Sequence, residues 1–378
     1  MGFMNRKLYA ALLVIAGCFL IVCTVVQPSR GDESLTYEPV IRASAEVFPR
    51  LNTTTVAYGI APIWTWLTGL TGALGLEARI AGRCLSILGW FACAMLLAPR
   101  RNYLLTWFCL LHPALFVFAT RCHPFWIGMA FLIAAFRFTS LPARCLCVAA
   151  ATSLQPFFIP AAIVIGLGDT RQQRLQSHRF PMFFTSLAAG AGMISTWLLY
   201  GGQYPADFKK TGYYAPYLTF DGFTEVYFAL IAATAGLLMW SLGRELPSFK
   251  KASVTFVLVA LLSGLVSTSG DLPQGPLLSV LKHFANGSSI AWALAIGSGG
   301  IGLCLLGRSD WKSVCGLILA ALALSRLPFA YERYAWFAVA PIFLVSRWGQ
   351  SESSAQSTCI AAVVCLVAGL AFCSLGSL

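Results

Sequence analysis

Charge is what this chain has least of. Only 11% of its 378 residues are Asp, Glu, Lys or Arg, against about 25% in soluble domains. It has no polar stretch long enough for a soluble domain, no low-complexity tract and no internal repeat, which sets aside disordered and solenoid architectures. Its 13 cysteines lie mostly inside apolar runs, at Cys18, Cys23, Cys93, Cys304 and Cys365, where thiols act as small hydrophobes. Cys145 and Cys147 stand too close for a metal-site pair and have no partner pair, so neither zinc nor a disulfide framework is indicated. Acids are scarcer still, 14 against 26 bases.

What remains is apolar. The chain is 58% hydrophobic with a mean hydropathy of +0.75, and runs of about 20 apolar residues recur from end to end. In a bilayer every backbone polar group must be satisfied within the segment, which favours helices. The expected fold is all-α: one polytopic transmembrane bundle over residues 1–378 with about 11–13 membrane helices.

Arg6 and Lys7 precede a first span to about Val26, read as a retained span with its N-terminus in the cytoplasm. A polar first outer loop, 27–77, follows. In it Leu35, Pro39–Ile41, Ala45 and Phe48 suit a short interfacial helix, and the Ala61–Leu70 stretch suits an amphipathic helix on the outer surface. Further spans are expected at about Ala78–Ala98, Leu104–Thr120, Pro124–Phe138, Phe183–Tyr200, Val226–Leu242, Ser253–Ser269, Ile290–Leu306, Ser313–Leu324, Tyr334–Val345 and Thr358–Leu375. The run Ala143–Gly168 carries Gln155-Pro156 and Pro160 in its interior, and proline breaks the helical ladder. Arg144 stands before the run and Arg171, Arg174 and Arg179 follow it, so a broken hairpin of two half-helices meeting at Gln155-Pro156 is expected.

Charge counting supports this topology. Of the 26 bases and 14 acids, 15 bases and four acids fall on the cytoplasmic side, a net of +11, which leaves +1 outside. The formal charge of +12 is thereby explained by orientation, and nucleic-acid binding drops out. Most acids face outward, and outward-facing chemistry is expected.

The sharpest outer feature is Asp32-Glu33, directly after the first span, with Tyr37 behind it. Carboxylates held there can act as a general base toward a hydroxyl or as hard ligands for a divalent cation. No cofactor beyond such a cation is suggested. Arg121 and His123 lie at the outer end of a span. The arginine either snorkels to the interface or, with His123, binds a lipid-linked phosphate. Tyr213 and Tyr214 belong to an outer loop, as aromatic belt or as a sugar-stacking surface. Lys282-His283 is a further phosphate or metal contact. Arg326 and Glu332-Arg333-Tyr334 crowd the lip of a late span, where ionisable groups suggest function. Asn52-Thr-Thr and Asn286-Gly-Ser match the glycosylation sequon, which has meaning only in a eukaryotic secretory membrane.

In these residues the chain resembles the GT-C superfamily of integral membrane glycosyltransferases, among them protein O-mannosyltransferases and the aminoarabinose transferase of lipid A. The resemblance rests on Asp32-Glu33 with Tyr37, on Pro62 through Gly75-Leu-Glu-Ala-Arg79, on Leu154-Gln155-Pro156, and on Glu332-Arg333-Tyr334 with Pro341. Pro62 stands alone where the family often has a double proline, and no second acidic motif occupies a later outer loop. The resemblance implies transfer of a sugar from a polyprenyl-phosphate carrier to a hydroxyl of a lipid, glycan or protein. The reaction would take place on the non-cytoplasmic face, facing the periplasm of a bacterial inner membrane or the lumen of an ER membrane. It implies catalysis by Asp32 and Glu33, with Arg121, His123, Lys282, His283, Arg326 and Arg333 at the leaving phosphate and Tyr37, Tyr213 and Tyr214 at the sugar or acceptor. A transporter or lipid flippase is the rival, since it too needs many helices and a polar cavity, and it also uses broken helices.

Overall fold

The structure, a computed structural model, describes residues 2–29, 33–52, 62–98, 106, 109–168, 179–199, 311–324 and 332–346. Those residues are all-helical, with no strand among them.

Helix α1, Gly2–Val26, is followed by a single π-helical turn, Glu33–Tyr37, which runs directly into α2, Glu38–Val47. Helix α3 spans Pro62–Ala73 and α4 spans Ala78–Leu97. Tyr9–Val26 within α1 and all of α4 are long and apolar enough to cross a membrane. On α1 the buried residues Tyr9, Leu12, Ala16, Leu20 and Cys23 recur at three- and four-residue steps, while Val14, Ile15, Ile21, Val22 and Val25 are exposed. One face therefore packs on protein, and the apolar remainder suits lipid.

The direction of α4 against α1 can be read from its contacts. The Tyr9 hydroxyl donates to the Ala94 carbonyl at one end, and Arg83 donates to the Cys23 and Thr24 carbonyls at the other. The two helices run antiparallel, so the N-terminus of α1 and the C-terminus of α4 share a side, as the charge count requires.

Helix α3 ends where its sequence says it must. Gly75 adopts φ +86°, a conformation that costs a glycine little. The Leu76 N–H bonds the Thr71 carbonyl at 3.4 Å and the Gly75 N–H bonds that of Gly72 at 2.9 Å, the two bonds of a Schellman cap. Helices α2 and α3 pack tightly. A Cβ on Gly69 would stand 2.8 Å from the Ser44 carbonyl oxygen.

The expected span over Leu104–Thr120 is not one uninterrupted helix. His112 leaves the helical path, Pro113–Phe116 forms a four-residue turn of helix (α5), and Val117–Ala119 is 3₁₀. Pro113 has no N–H to give to a preceding turn, which explains the break. Helix α6, Phe125–Arg137, begins where expected. At 13 residues it is about 20 Å long, short of a hydrocarbon core of about 30 Å.

Helix α7, Leu141–Leu154, stops at Gln155, whose backbone is extended at φ −149°, ψ 109°. A 3₁₀ turn, Pro156–Phe158, then leads into α8, Ile159–Gly168. The break falls at the expected Gln155-Pro156 step. Its two halves are held mainly by other helices: α7 packs on α6 and on α9 (Arg179–Leu199), while α8 packs on α9, α10 (Trp311–Leu324) and α11 (Glu332–Ser346). Both α10 and α11 lie within two residues of their expected bounds. The spans expected at Val226–Leu242, Ser253–Ser269, Ile290–Leu306 and Thr358–Leu375 lie outside the described residues.

Arginines close several helix ends. The Arg137 guanidinium donates to the Leu96 carbonyl at 3.0 Å, and Arg144 to that of Phe138 at 3.0 Å. A cation at a helix C-terminus satisfies orphan carbonyls and opposes the helix dipole.

Candidate functional site

Three segments far apart in sequence meet beside the C-terminus of α1, and Arg83 of α4 joins them. Its Nη1 donates to the carbonyls of Cys23, Thr24 and Gln27 at 3.3, 3.1 and 2.7 Å, and its Nη2 to that of Pro28 at 3.3 Å. The Cys23 carbonyl also accepts the Gln27 N–H at 3.0 Å, and the other three lie in or just past the last turn of α1, where carbonyls run out of helical donors. The other side of the fork meets Glu33, with Nε donating to Oε1 at 2.7 Å and Nη2 to Oε2 at 2.6 Å. The pair is sealed from solvent: the side chains are 1% and 2% exposed. Such burial is tolerable only because every guanidinium nitrogen has acceptors and the charges match.

Glu33 holds a third segment. Its Oε1 accepts the Cys122 N–H at 3.0 Å, which fixes the turn between the Val117–Ala119 3₁₀ helix and α6. Burial alone would raise the Glu33 pKa. The forked bonds and charge of Arg83, with Cys122, outweigh it and hold the carboxyl below its ordinary value of 4.5. Glu33 is thus an ionised structural anchor. As a cation ligand beside Asp32, Glu33 is already committed: both oxygens accept from Arg83, and a cation placed there would face the guanidinium charge. Among the described residues no group of three His, Cys, Asp or Glu side chains is arranged to hold a metal ion.

The two turns that Glu33 fixes carry two of the expected site residues. Tyr37 closes the π-turn, and its ring meets that of His123 at a centroid distance of 5.5 Å. His123 is also flanked by Phe118 at 4.6 Å and by Phe337 of α11 at 5.6 Å. Its backbone is pinned on both sides: the Ser86 hydroxyl donates to the His123 carbonyl, and Ser86 Oγ accepts the His123 N–H, both at 3.0 Å. The Phe125 N–H donates to His123 Nδ1 at 3.1 Å, so the neutral ring carries its proton on Nε2. Nε2 is therefore the nitrogen able to donate toward an anionic oxygen.

Arg121 is half-buried in the same turn, one residue before Cys122. Arg333 stands in the first turn of α11, four positions before Phe337. Asp32, Tyr213, Tyr214, Lys282, His283 and Arg326 lie outside the described residues. Glu33, Tyr37 and His123 are therefore brought together, with Arg121 and Arg333 on adjoining segments.

Two participants were missed in the sequence. Arg83 is the more deeply placed of two arginines in a largely apolar 20-residue helix, and such a residue signals a buried partner or a function. The Cys122 amide carries no sequence signal at all.

Compared with protein families, with curated proteins and with solved structures, the chain finds no match.

Proposed function

We propose that this protein is a multi-pass membrane glycosyltransferase of GT-C type. It moves a sugar from a polyprenyl-phosphate carrier to an acceptor hydroxyl on the non-cytoplasmic face of its membrane. The observation that carries the reading is the meeting of Glu33, Tyr37 and His123 beside the end of the first span. Glu33 and His123 carry ionisable chemistry, Tyr37 belongs to the pattern of the resemblance, and Glu33 and His123 stand 90 positions apart.

In this reading Asp32 accepts the proton of the acceptor hydroxyl as its oxygen attacks the anomeric carbon. The bond from that carbon to the phosphate oxygen breaks, and the polyprenyl phosphate leaves with the electron pair. His123, through Nε2–H, and the nearby cations Arg121 and Arg333 stabilise the charge on the leaving phosphate. Lys282, His283 and Arg326 are proposed to join them, with Tyr37, Tyr213 and Tyr214 against the sugar or acceptor. Glu33 acts through position, holding the turn that follows Asp32.

The test is direct. The purified chain in detergent is incubated with polyprenyl-phosphate mannose, glucose and aminoarabinose and a mixed glycan, lipid and peptide acceptor pool, and free polyprenyl phosphate is measured. Donor-dependent release above that of protein-free controls supports the reading, and no release with any donor counts against it. The break at Gln155-Pro156 favours a second reading, a transporter or flippase. That protein would move the intact carrier across vesicles and release no phosphate.

A further inference from the structure

We infer that Arg83 is the positioning residue of this site, acting through Glu33 to set the Tyr37 and His123 rings against each other. What the positioned pair is for rests on the transferase reading, but the positioning itself does not.

Tyr37 reaches its place at the end of a π-helical turn that begins with Glu33. A π-turn is a rare, locally unfavourable backbone that persists where contacts impose it. Here the imposed contact is the two-pronged grip of Arg83 on the Glu33 carboxylate. His123 reaches its place through the neighbouring amide, since the Cys122 N–H is held by the same carboxylate. One side chain thus fixes both turns. Arg83 is in turn held by four carbonyls of α1 and the residues just after it, so the Tyr37–His123 pair is referenced to the end of the first span.

Three features show that this geometry is specific. The Ser86 hydroxyl bonds His123 one turn along the same helix, so α4 presents both holding groups on one face. Gly82, next to Arg83 and one turn before Ser86, leaves no room for a side chain: a Cβ there would stand 2.5 Å from Cys122 Sγ and 2.8 Å from Ile41 Cδ1. The Cys122 thiol fills the gap and donates to the Arg79 carbonyl at 3.3 Å. A lysine at position 83 would keep the charge but lose the planar fork that serves Glu33 and α1 at once.

The experiment compares the full chain in detergent with Arg83→Lys by hydrogen–deuterium exchange and by kinetics. Loss of a charge-assisted bond should raise exchange about tenfold over Glu33–Val40 and at the Cys122 amide. Exchange within Phe125–Arg137 should stay as in the wild type. With whichever polyprenyl-phosphate sugar the wild type uses, kcat should fall about 10²-fold with KM within about twofold, as misplacement of reacting groups predicts. Should Arg83→Lys unfold, Glu33→Gln, which keeps the side chain's size, is expected to give the same local pattern. Unchanged exchange in both segments, or a wild-type kcat in a variant whose turns have loosened, would overturn the inference. If the wild type transfers no sugar, the transferase reading fails, and the exchange measurement still decides whether Arg83 positions the two turns.

Discussion

The carboxylate of Glu33 and the guanidinium of Arg83, fifty positions apart in the chain, meet at 2.6 Å with both side chains almost wholly removed from solvent. This pair closes α1 onto α4 and fixes the turns that carry Tyr37 and His123. Its energetics follow from burial. Breaking such a pair strands a charge, whereas replacing both partners by apolar groups strands none.

Arg83→Leu alone should therefore destabilise the protein by about 3–5 kcal/mol. The double variant Glu33→Leu with Arg83→Leu should recover most of that loss. The α1 carbonyls lose their donor in both variants, so recovery stops short of complete. Thermal unfolding in one detergent, scored for both variants, checks the order.

The same pair predicts a pH dependence. Because the folded pKa of Glu33 is lowered, its contribution is fully present above the ordinary value of 4.5 and is lost as pH falls through the lowered folded value. The wild type should therefore lose stability relative to Glu33→Gln as pH falls from about 4.5 toward the lowered folded value, and the gap between them should narrow. A gap that widens in acid would contradict the assigned direction.

The legible part of the fold was the part dictated by local chemistry. The long apolar helices ending at Val26 and Leu97, the short helix after Glu33 and the break at Gln155-Pro156 follow from apolar length, periodicity and proline. The broken span at His112-Pro113 was equally written in a proline, but the apolar run around it masked the signal. The site was legible only in part. Glu33 and His123 could be chosen for their chemistry and Tyr37 through the resemblance, whereas the role of Glu33 could not be read. Whether a carboxylate is a ligand or an anchor depends on what lies opposite, and Arg83 comes into view only when α4 packs on α1.

Close packing gives a third prediction. A Cβ on Gly89 would stand 2.6 Å from the Ile127 backbone nitrogen and 2.7 Å from the Trp126 carbonyl carbon. Backbone of α6 cannot step aside as a flexible side chain can, so Gly89→Ala should cost about 1–3 kcal/mol and lower the yield of folded protein. Gly190→Ala meets nothing within 4 Å and should be neutral or mildly stabilising, which makes it the control for the same stability measurement.

A fourth prediction concerns glycosylation. Asn52 sits in a sequon, yet it is 3% exposed and its amide donates to Ser44 Oγ at 3.2 Å. A folded chain expressed in a eukaryotic secretory membrane should carry no glycan on Asn52. Mass spectrometry of the peptide decides it, and full occupancy would show that the turn after α2 is open when the transferase meets it.

The most direct test of the account is the sugar-transfer rate of Asp32→Asn beside the wild type, at equal folded protein. The substitution keeps size and polarity and removes the proton acceptor. The rate should fall about 10²–10⁴-fold, the usual cost of losing a positioned general base, while thermal stability and the exchange protection of Cys122 stay as in the wild type. A rate within a few-fold of wild type would contradict the assignment of Asp32 as the base and leave that role to another outward acid, such as Glu38 or Glu332.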